Sequence, residues 1–206
     1  MPAIGITGGI STGKSTFLEC LRELLPVATF FDADVAAHVL LNRPEVEKQI
    51  RREFGTKVFS TAGDLNRAKL RAIVFGDAIK KRALERILHP RIRRQWRTEA
   101  KEHRNSPNLF FADIPLLYET SGETLCDRVV VVACSQTVQL ARLRKRMSVT
   151  NAEAKQMINS QMPLEEKIGR ADHVVWNNGN RTSLMEQARF LVASWQARTW
   201  KKRQRR

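Results

Sequence analysis

Gly8-Gly9-Ile10-Ser11-Thr12-Gly13-Lys14-Ser15-Thr16 lies between an apolar run, Ala3-Ile4-Gly5-Ile6, and a stretch whose apolar residues recur at helical spacing. The pattern G-x-x-x-x-G-K-S between a strand and a helix is that of a phosphate-binding loop. Gly8 and Gly13 supply backbone conformations that a Cβ would obstruct, and the helix starting at about Lys14 turns its positive end toward an anion. In this reading the segment Gly9, Ile10, Ser11, Thr12, Gly13, Lys14, Ser15 and Thr16 surrounds the phosphates of a nucleotide. Lys14 reaches the outer phosphates, and the Ser15 hydroxyl ligates Mg²⁺.

Outward from the loop, Phe17, Leu18, Leu21, Leu24 and Leu25 predict an amphipathic helix from Lys14 to Leu25, ended by Pro26. Val27 to Phe31 reads as a second strand running into Asp32-Ala33-Asp34. Ligands of open parallel sheets bind beyond the carboxyl ends of the strands, and strand periodicity would put Asp32 and Asp34 on one side. Two carboxylates there can hold Mg²⁺ and take a proton from an attacking hydroxyl; alternatively, one of them caps the next helix.

From Val35 to about Asn105 no sheet strand is expected, and the helix formers and charges predict a helical excursion carrying the acceptor-binding surface. Gly55 and Ala62-Gly63-Asp64 read as turns, and Leu88-His89-Pro90 as a helix break with Pro90 opening a new helix. His89 is either a structural histidine or, with Arg91 and Arg93 beside it, part of a phosphate pocket. Leu109 to Ala112 resumes the strand pattern and ends in Asp113, which is either a turn residue or an outer-sphere neighbour of Mg²⁺.

Val129 to Ala133 is a further buried strand, after which Ser135 caps a helix that carries Arg142 and Arg146 on one side. A capping box, Thr150 with Glu153, opens the next helix, and Met162-Pro163 breaks it. Arginines on such a helical hairpin suit a lid that neutralises a transferring phosphoryl group, whereas Arg144 and Lys145 suit a solvated face equally well. A last strand, Val174 to Trp176, is followed by a turn and a capping box from Ser183 to Glu186. Leu184, Ala188, Leu191 and Trp195 then form a core-facing stripe. Strands alternating with helices predict an α/β, three-layer fold with a mainly parallel sheet.

The chain has 206 residues, 42% of them hydrophobic, enough for one domain with a real core. No leader and no membrane-spanning run is expected, which points to the cytoplasm. Cys20, Cys126 and Cys134 lack a C-x-x-C pair, and the four histidines lack metal-ligand spacing. The net charge of +15 suits polyanionic ligands, and Lys201 to Arg206 reads as a solvated, disordered terminal charge run.

Taken together, these residues resemble the dephospho-CoA kinase family nearly end to end. The resemblance is carried by Ile6 to Ile10 and Gly13 to Thr16, by Asp32-Ala33-Asp34 with His38, and by Leu65-Asn66-Arg67 and Leu88-His89-Pro90 with Arg93. It continues through Pro115 to Glu119, Gln161 to Lys167, Ala171-Asp172 and Asn177 to Gly179. It implies a P-loop NTPase fold with its core at about 1–34, 106–141 and 171–200. A dephospho-CoA-binding excursion would span about 35–105, a lid about 142–170 and a basic tail 201–206.

It also implies transfer of the γ-phosphoryl group of ATP, with Mg²⁺, to the ribose 3′-hydroxyl of dephospho-CoA. Asp34 would be the base, Lys14, Arg142 and Arg146 the phosphate-facing cations, and Asp32, His38, Arg67, His89, Arg93, Leu116 and Glu119 the acceptor contacts. Neither nucleic acid nor a membrane is an expected partner, and a monomer is favoured. Three departures from the family pattern stand out: Ser11 for a loop glycine, Asn66 for the aspartate before Arg67, and Met147 after Arg146. Another small-molecule kinase is the main alternative, and a nucleic-acid-binding NTPase a weaker one.

Overall fold

In the computed structural model the described residues are 3–204, with side chains described through residue 197. The backbone divides into two compact units, one formed by Met1–Phe31 with Ala100–Arg206 and one by Asp32–Glu99.

The first unit is built on five strands: β1 (Ala3–Gly8), β2 (Thr29–Asp32), β3 (Phe110–Asp113), β4 (Arg128–Ala133) and β5 (His173–Trp176). Their order in the sheet is β2-β3-β1-β4-β5. β1 pairs in parallel with both β3 and β4, and β4 in parallel with β5, as the sequence predicts. With neighbours on both edges, every residue of β1 is buried, so the phosphate-loop sequence leaves the sheet from its most enclosed strand.

Period two sends Ile4 and Ile6 of β1, Val130 and Val132 of β4 and Val175 of β5 to one face. There they meet Phe17, Leu18 and Leu21 of α1 (Lys14–Leu24) and Leu184, Ala188, Leu191 and Trp195 of α9 (Arg181–Gln204), so the expected core stripe is in the core. The start of α9 differs from expectation. The Asn180 carboxamide accepts from the Ser183 N–H at 3.0 Å, so Asn180 caps the helix and Ser183 lies inside it. The backbone of α9 runs on into the terminal charge run as far as Gln204, whereas Arg205 and Arg206 lie outside the described residues.

Three further helices complete this unit: α6 (Gln136–Met147), α7 (Asn151–Asn159) and α8 (Leu164–Gly169). Ser135 caps α6, and Thr150 with Glu153 forms both halves of the capping box on α7, as expected. Burial pushes all three thiols up, that of Cys126 to about 12. Among the described residues no helix is long and apolar enough to cross a membrane.

The second unit holds α2 (Ala33–Leu40), α3 (Pro44–Phe54), α4 (Arg67–Gly76) and most of α5 (Ala78–His103). It has its own core, with Leu40, Val46, Ile50, Phe54, Val58, Leu70 and Leu88 buried together. Gly55 and Gly63 turn with positive φ, as expected. The break expected at Pro90 is absent, because α5 passes through it. An interior proline leaves helix carbonyls without their N–H partners at a cost of about 3 kcal/mol. The carbonyl that Pro90 deprives of its N–H is that of Arg86, and in the same turn the Arg91 guanidinium donates to the next carbonyl, that of Ile87, at 2.5 Å, an added charged bond across the proline. The last turn of α5 belongs to the first unit, where His103 bonds Thr29 at 2.8 Å and lies against the Phe110 ring.

Candidate active site

The loop at the end of β1 is held by its carbonyls. A trans peptide points its C=O and its N–H in opposite directions, so anchoring a carbonyl on one side aims the following N–H to the other. The Gly8 carbonyl accepts from Lys167 Nζ at 3.3 Å, and the Gly9 carbonyl from the Thr12 hydroxyl at 2.9 Å. The Ile10 carbonyl accepts from Gln139 Nε2 at 2.8 Å, and the Thr12 carbonyl from Asn177 Nδ2 at 2.9 Å. The N–H groups of Gly9, Ser11 and Gly13 are thereby turned away from these anchors and left to bind an anion.

Ile10 is the exception among the expected phosphate-binding amides, since its N–H donates to Gln161 Oε1 at 3.1 Å. Gly13, at φ +92, sets the start of α1, and a Cβ built on it would stand 1.9 Å from Asn177 Nδ2. Ser11 also sits in the left-handed region, at φ +59, and its buried hydroxyl finds no partner among the described residues. Such a conformation costs a non-glycine residue about 1–3 kcal/mol.

Lys14, the first residue of α1, forms an ion pair with Asp113 at the end of β3, so the strand-end aspartate belongs to the loop's surroundings. Ser15 is exposed beside it at the helix N-terminus. Arg142 of α6 reaches the Thr12 carbonyl by a long contact of 3.4 Å and lies beside the Cys134 thiol, where its charge opposes the upward push of burial. Arg146 is one turn further along α6 and exposed, as are Arg144 and Lys145.

Glu119 uses one carboxylate oxygen twice: Oε1 accepts from the Met162 N–H at 3.0 Å and from Lys167 Nζ at 2.8 Å. Leu116, in the same segment, is half-buried. In the sequence Gln161, Lys167 and Asn177 stand only as parts of the family pattern and Gln139 not at all, because the loop groups that they hold lie 129 to 165 residues away.

In the second unit, Asp32 caps α2 by accepting from the Asp34 and Val35 N–H groups at 2.8 and 2.9 Å. Asp34 therefore lies in the first helical turn, and strand periodicity does not relate the two carboxylates. Asp34 and His38, four residues apart on α2, are both exposed. His38 Nε2 meets Arg67 Nη1, and because a guanidinium only donates, the imidazole nitrogen is the acceptor. Arg67 also donates to Asn42 Oδ1 at 2.7 Å, which fixes its guanidinium at the start of α4. Asn66 caps that helix through the Lys69 N–H at 3.0 Å, a bond that an aspartate would make equally well. Midway along α5, His89 is held below its ordinary value chiefly by burial, and Arg93 is exposed. Among the described residues no cluster of three His, Cys, Asp or Glu side chains suits a metal.

The sequence profile of the family described as CoaE, dephospho-CoA kinase, matches residues 2–183. The dephospho-CoA kinase of Geobacillus kaustophilus is 40% identical over 197 residues, covering 94% of this chain and 96% of that protein. Among solved structures, TT1252 from Thermus thermophilus is similar with a TM-score of 0.78 at 32% identity, over 94% of this chain and 96% of the other. The dephospho-CoA kinase from Campylobacter jejuni is similar with a TM-score of 0.73 at 28% identity, over 96% and 98%.

Proposed function

This chain belongs to the dephospho-CoA kinase family, and we propose that it moves the γ-phosphoryl group of ATP onto the ribose 3′-hydroxyl of dephospho-CoA. ATP-dependent phosphorylation of dephospho-CoA, in coenzyme A biosynthesis, goes with the family. The site of transfer on the ribose and the roles of individual residues are our reading. The observation that carries it is the loop whose carbonyls are anchored outward, with Lys14 and Asp113 beside it.

In this reading the N–H groups of Gly9, Ser11 and Gly13, with those of Lys14, Ser15 and Thr16 at the start of α1, hold the ATP phosphates. Lys14 exchanges part of its contact with Asp113 for the outer phosphates. Arg142 and Arg146 supply positive charge as negative charge shifts onto the leaving oxygen. Asp34 accepts the proton of the attacking hydroxyl. The hydroxyl oxygen bonds to the γ-phosphorus, the bond from that phosphorus to the β–γ bridging oxygen breaks, and its electron pair leaves on ADP. The Arg67 guanidinium, pinned by His38 and Asn42, suits an anionic group of the acceptor, and His89, Arg93 and Leu116 are further contacts.

The residues present fit Mg²⁺. It takes hard oxygen ligands, keeps several waters and draws other ligands from phosphates, so the Ser15 hydroxyl with the Asp113 carboxylate nearby is a sufficient protein share. When bound, it neutralises charge on the β- and γ-phosphate oxygens.

The test is to supply ATP with dephospho-CoA, adenosine, nucleoside monophosphates or shikimate and identify the product by mass. We expect coenzyme A. Turnover of another acceptor with none of dephospho-CoA would overturn the assignment.

A further inference from the structure

Lys167 is the one lysine among the fully buried side chains of the described residues, at 0% exposure on the short helix α8. An ammonium has three N–H donors, and this one has three acceptors: the Gly8 carbonyl at 3.3 Å, the Pro115 carbonyl at 3.1 Å and Glu119 Oε1 at 2.8 Å. The same Glu119 oxygen takes the Met162 N–H just ahead of α8. Leu164 of α8 comes within 3.7 Å of where a Cβ on Gly9 would stand. One amino group thus joins the end of β1, the segment after β3 and the helix behind the loop.

A fully buried ammonium, even one paired with a partly exposed carboxylate, is a poor device for stability alone, since well-packed apolar residues of the same volume are often as good or better. An apolar pair cannot fix the direction of a carbonyl. Gly8 is where β1 gives way to the loop, and it is tightly enclosed, a Cβ there falling 2.5 Å from the Val132 carbonyl oxygen and 2.8 Å from the Thr12 hydroxyl. Whichever way its carbonyl turns, the Gly9 N–H turns the other way.

We infer that Lys167 is a positioning residue for the ATP site: by holding the Gly8 carbonyl it aims the Gly9 N–H at the phosphates and makes α8 a fixed buttress of the loop. Only the α6–α7 part of the helical hairpin is then left to close over the nucleotide. Lys167 touches no substrate in this role, and acts through Gly8. The inference rests on the reading of the loop as the ATP site.

The test measures ATP binding by calorimetry on the full chain, together with Tm, for wild type, Lys167→Met, Glu119→Gln and the double variant. Lys167→Met leaves the partly buried Glu119 carboxylate and the Gly8 and Pro115 carbonyls without their donor and is expected to lower Tm and weaken ATP binding about tenfold, the scale of one charged hydrogen bond. The double variant orphans no charge, and its new carboxamide can still accept from the Met162 N–H, so Tm is expected to recover while ATP binding stays about tenfold weak. ATP binding that recovers with Tm would show a purely structural ion pair and overturn the inference, as would a double variant that fails to fold. Glu119→Gln takes the counter-charge from the buried ammonium and is expected to lower Tm, but it keeps the bond from Lys167 to Gly8, so ATP binding measured without acceptor is expected within about twofold of wild type; a tenfold loss there also counts against the inference. Wild-type protein that binds no ATP would defeat the reading of the loop itself, whereas equal binding by wild type and both Lys167 variants defeats only the inference.

Discussion

Asn177 Nδ2 donates to the Thr12 carbonyl at 2.9 Å and fills the space that a side chain on Gly13 would need. Two demands therefore meet at Gly13: a positive φ, and no Cβ. Gly13→Ala forces the carboxamide off Thr12 and adds backbone strain. The expected cost is about 2 kcal/mol of stability, a Tm lower by roughly 5 °C, and ATP binding weakened at least about tenfold. Calorimetry and thermal unfolding read both effects, and an unchanged ATP affinity would mean that the carbonyl anchors do not shape the phosphate site.

Ser11 carries the opposite prediction. Replacing it with glycine relieves the left-handed conformation and removes a buried hydroxyl that lacks a partner, at some cost in unfolded-chain entropy. Ser11→Gly is expected to raise stability by about 1 kcal/mol and Tm by roughly 3 °C, with ATP affinity equal to or better than wild type. A lower Tm would show that the serine hydroxyl contributes an interaction of its own.

Lys14→Ala and Asp34→Asn are each expected to lower turnover by orders of magnitude, for different reasons. The first removes a cation from the phosphates and weakens ATP binding as well. The second removes the proton acceptor and leaves ATP affinity near wild type, the pattern of a group needed in the transition state alone. Near-normal turnover in Asp34→Asn would remove Asp34 from the base role.

His89 links stability to pH. Burial depresses its folded-state pKa below the ordinary 6.5, with Lys81 adding to the effect and Glu85 opposing it. As pH falls through about 6.5 the unfolded chain takes up this proton first, so His89 lowers stability over that window until the folded form also protonates. Above it, the contribution is constant. The variant His89→Gln is expected to lose less Tm than wild type between about pH 7.5 and pH 5.5; parallel Tm curves would show that His89 is not protected from protonation.

The parts of this molecule legible in the sequence are those specified by neighbours. The strand, loop and helix from Ala3 to Leu24 follow from local spacing, as do the cap at Ser135 and the capping box at Thr150. Asp32-Ala33-Asp34 misled on strand period because a single cap at Asp32 turns the chain from strand to helix within one residue. Pro90 reads as a break because propensity counts only the backbone donor it lacks, whereas α5 continues through it with an added side-chain bond from Arg91 to the Ile87 carbonyl in the same turn. What Gln161, Lys167 and Asn177 do for the loop is not legible for a different reason, although the family pattern includes them: with Gln139, they meet their partners only once β4, α8 and β5 have been laid beside β1.

The cysteines take on meaning from the substrate. Dephospho-CoA carries a thiol, and a protein thiolate within reach of its oxidised form would be drawn into mixed disulfides. Thiol exchange needs the thiolate, and burial keeps Cys20, Cys126 and Cys134 protonated well above neutral pH. The protein's own sulfur is thereby insulated from the sulfur of the molecule it phosphorylates, and incubation with the oxidised substrate at neutral pH should leave the protein's intact mass without a mixed disulfide.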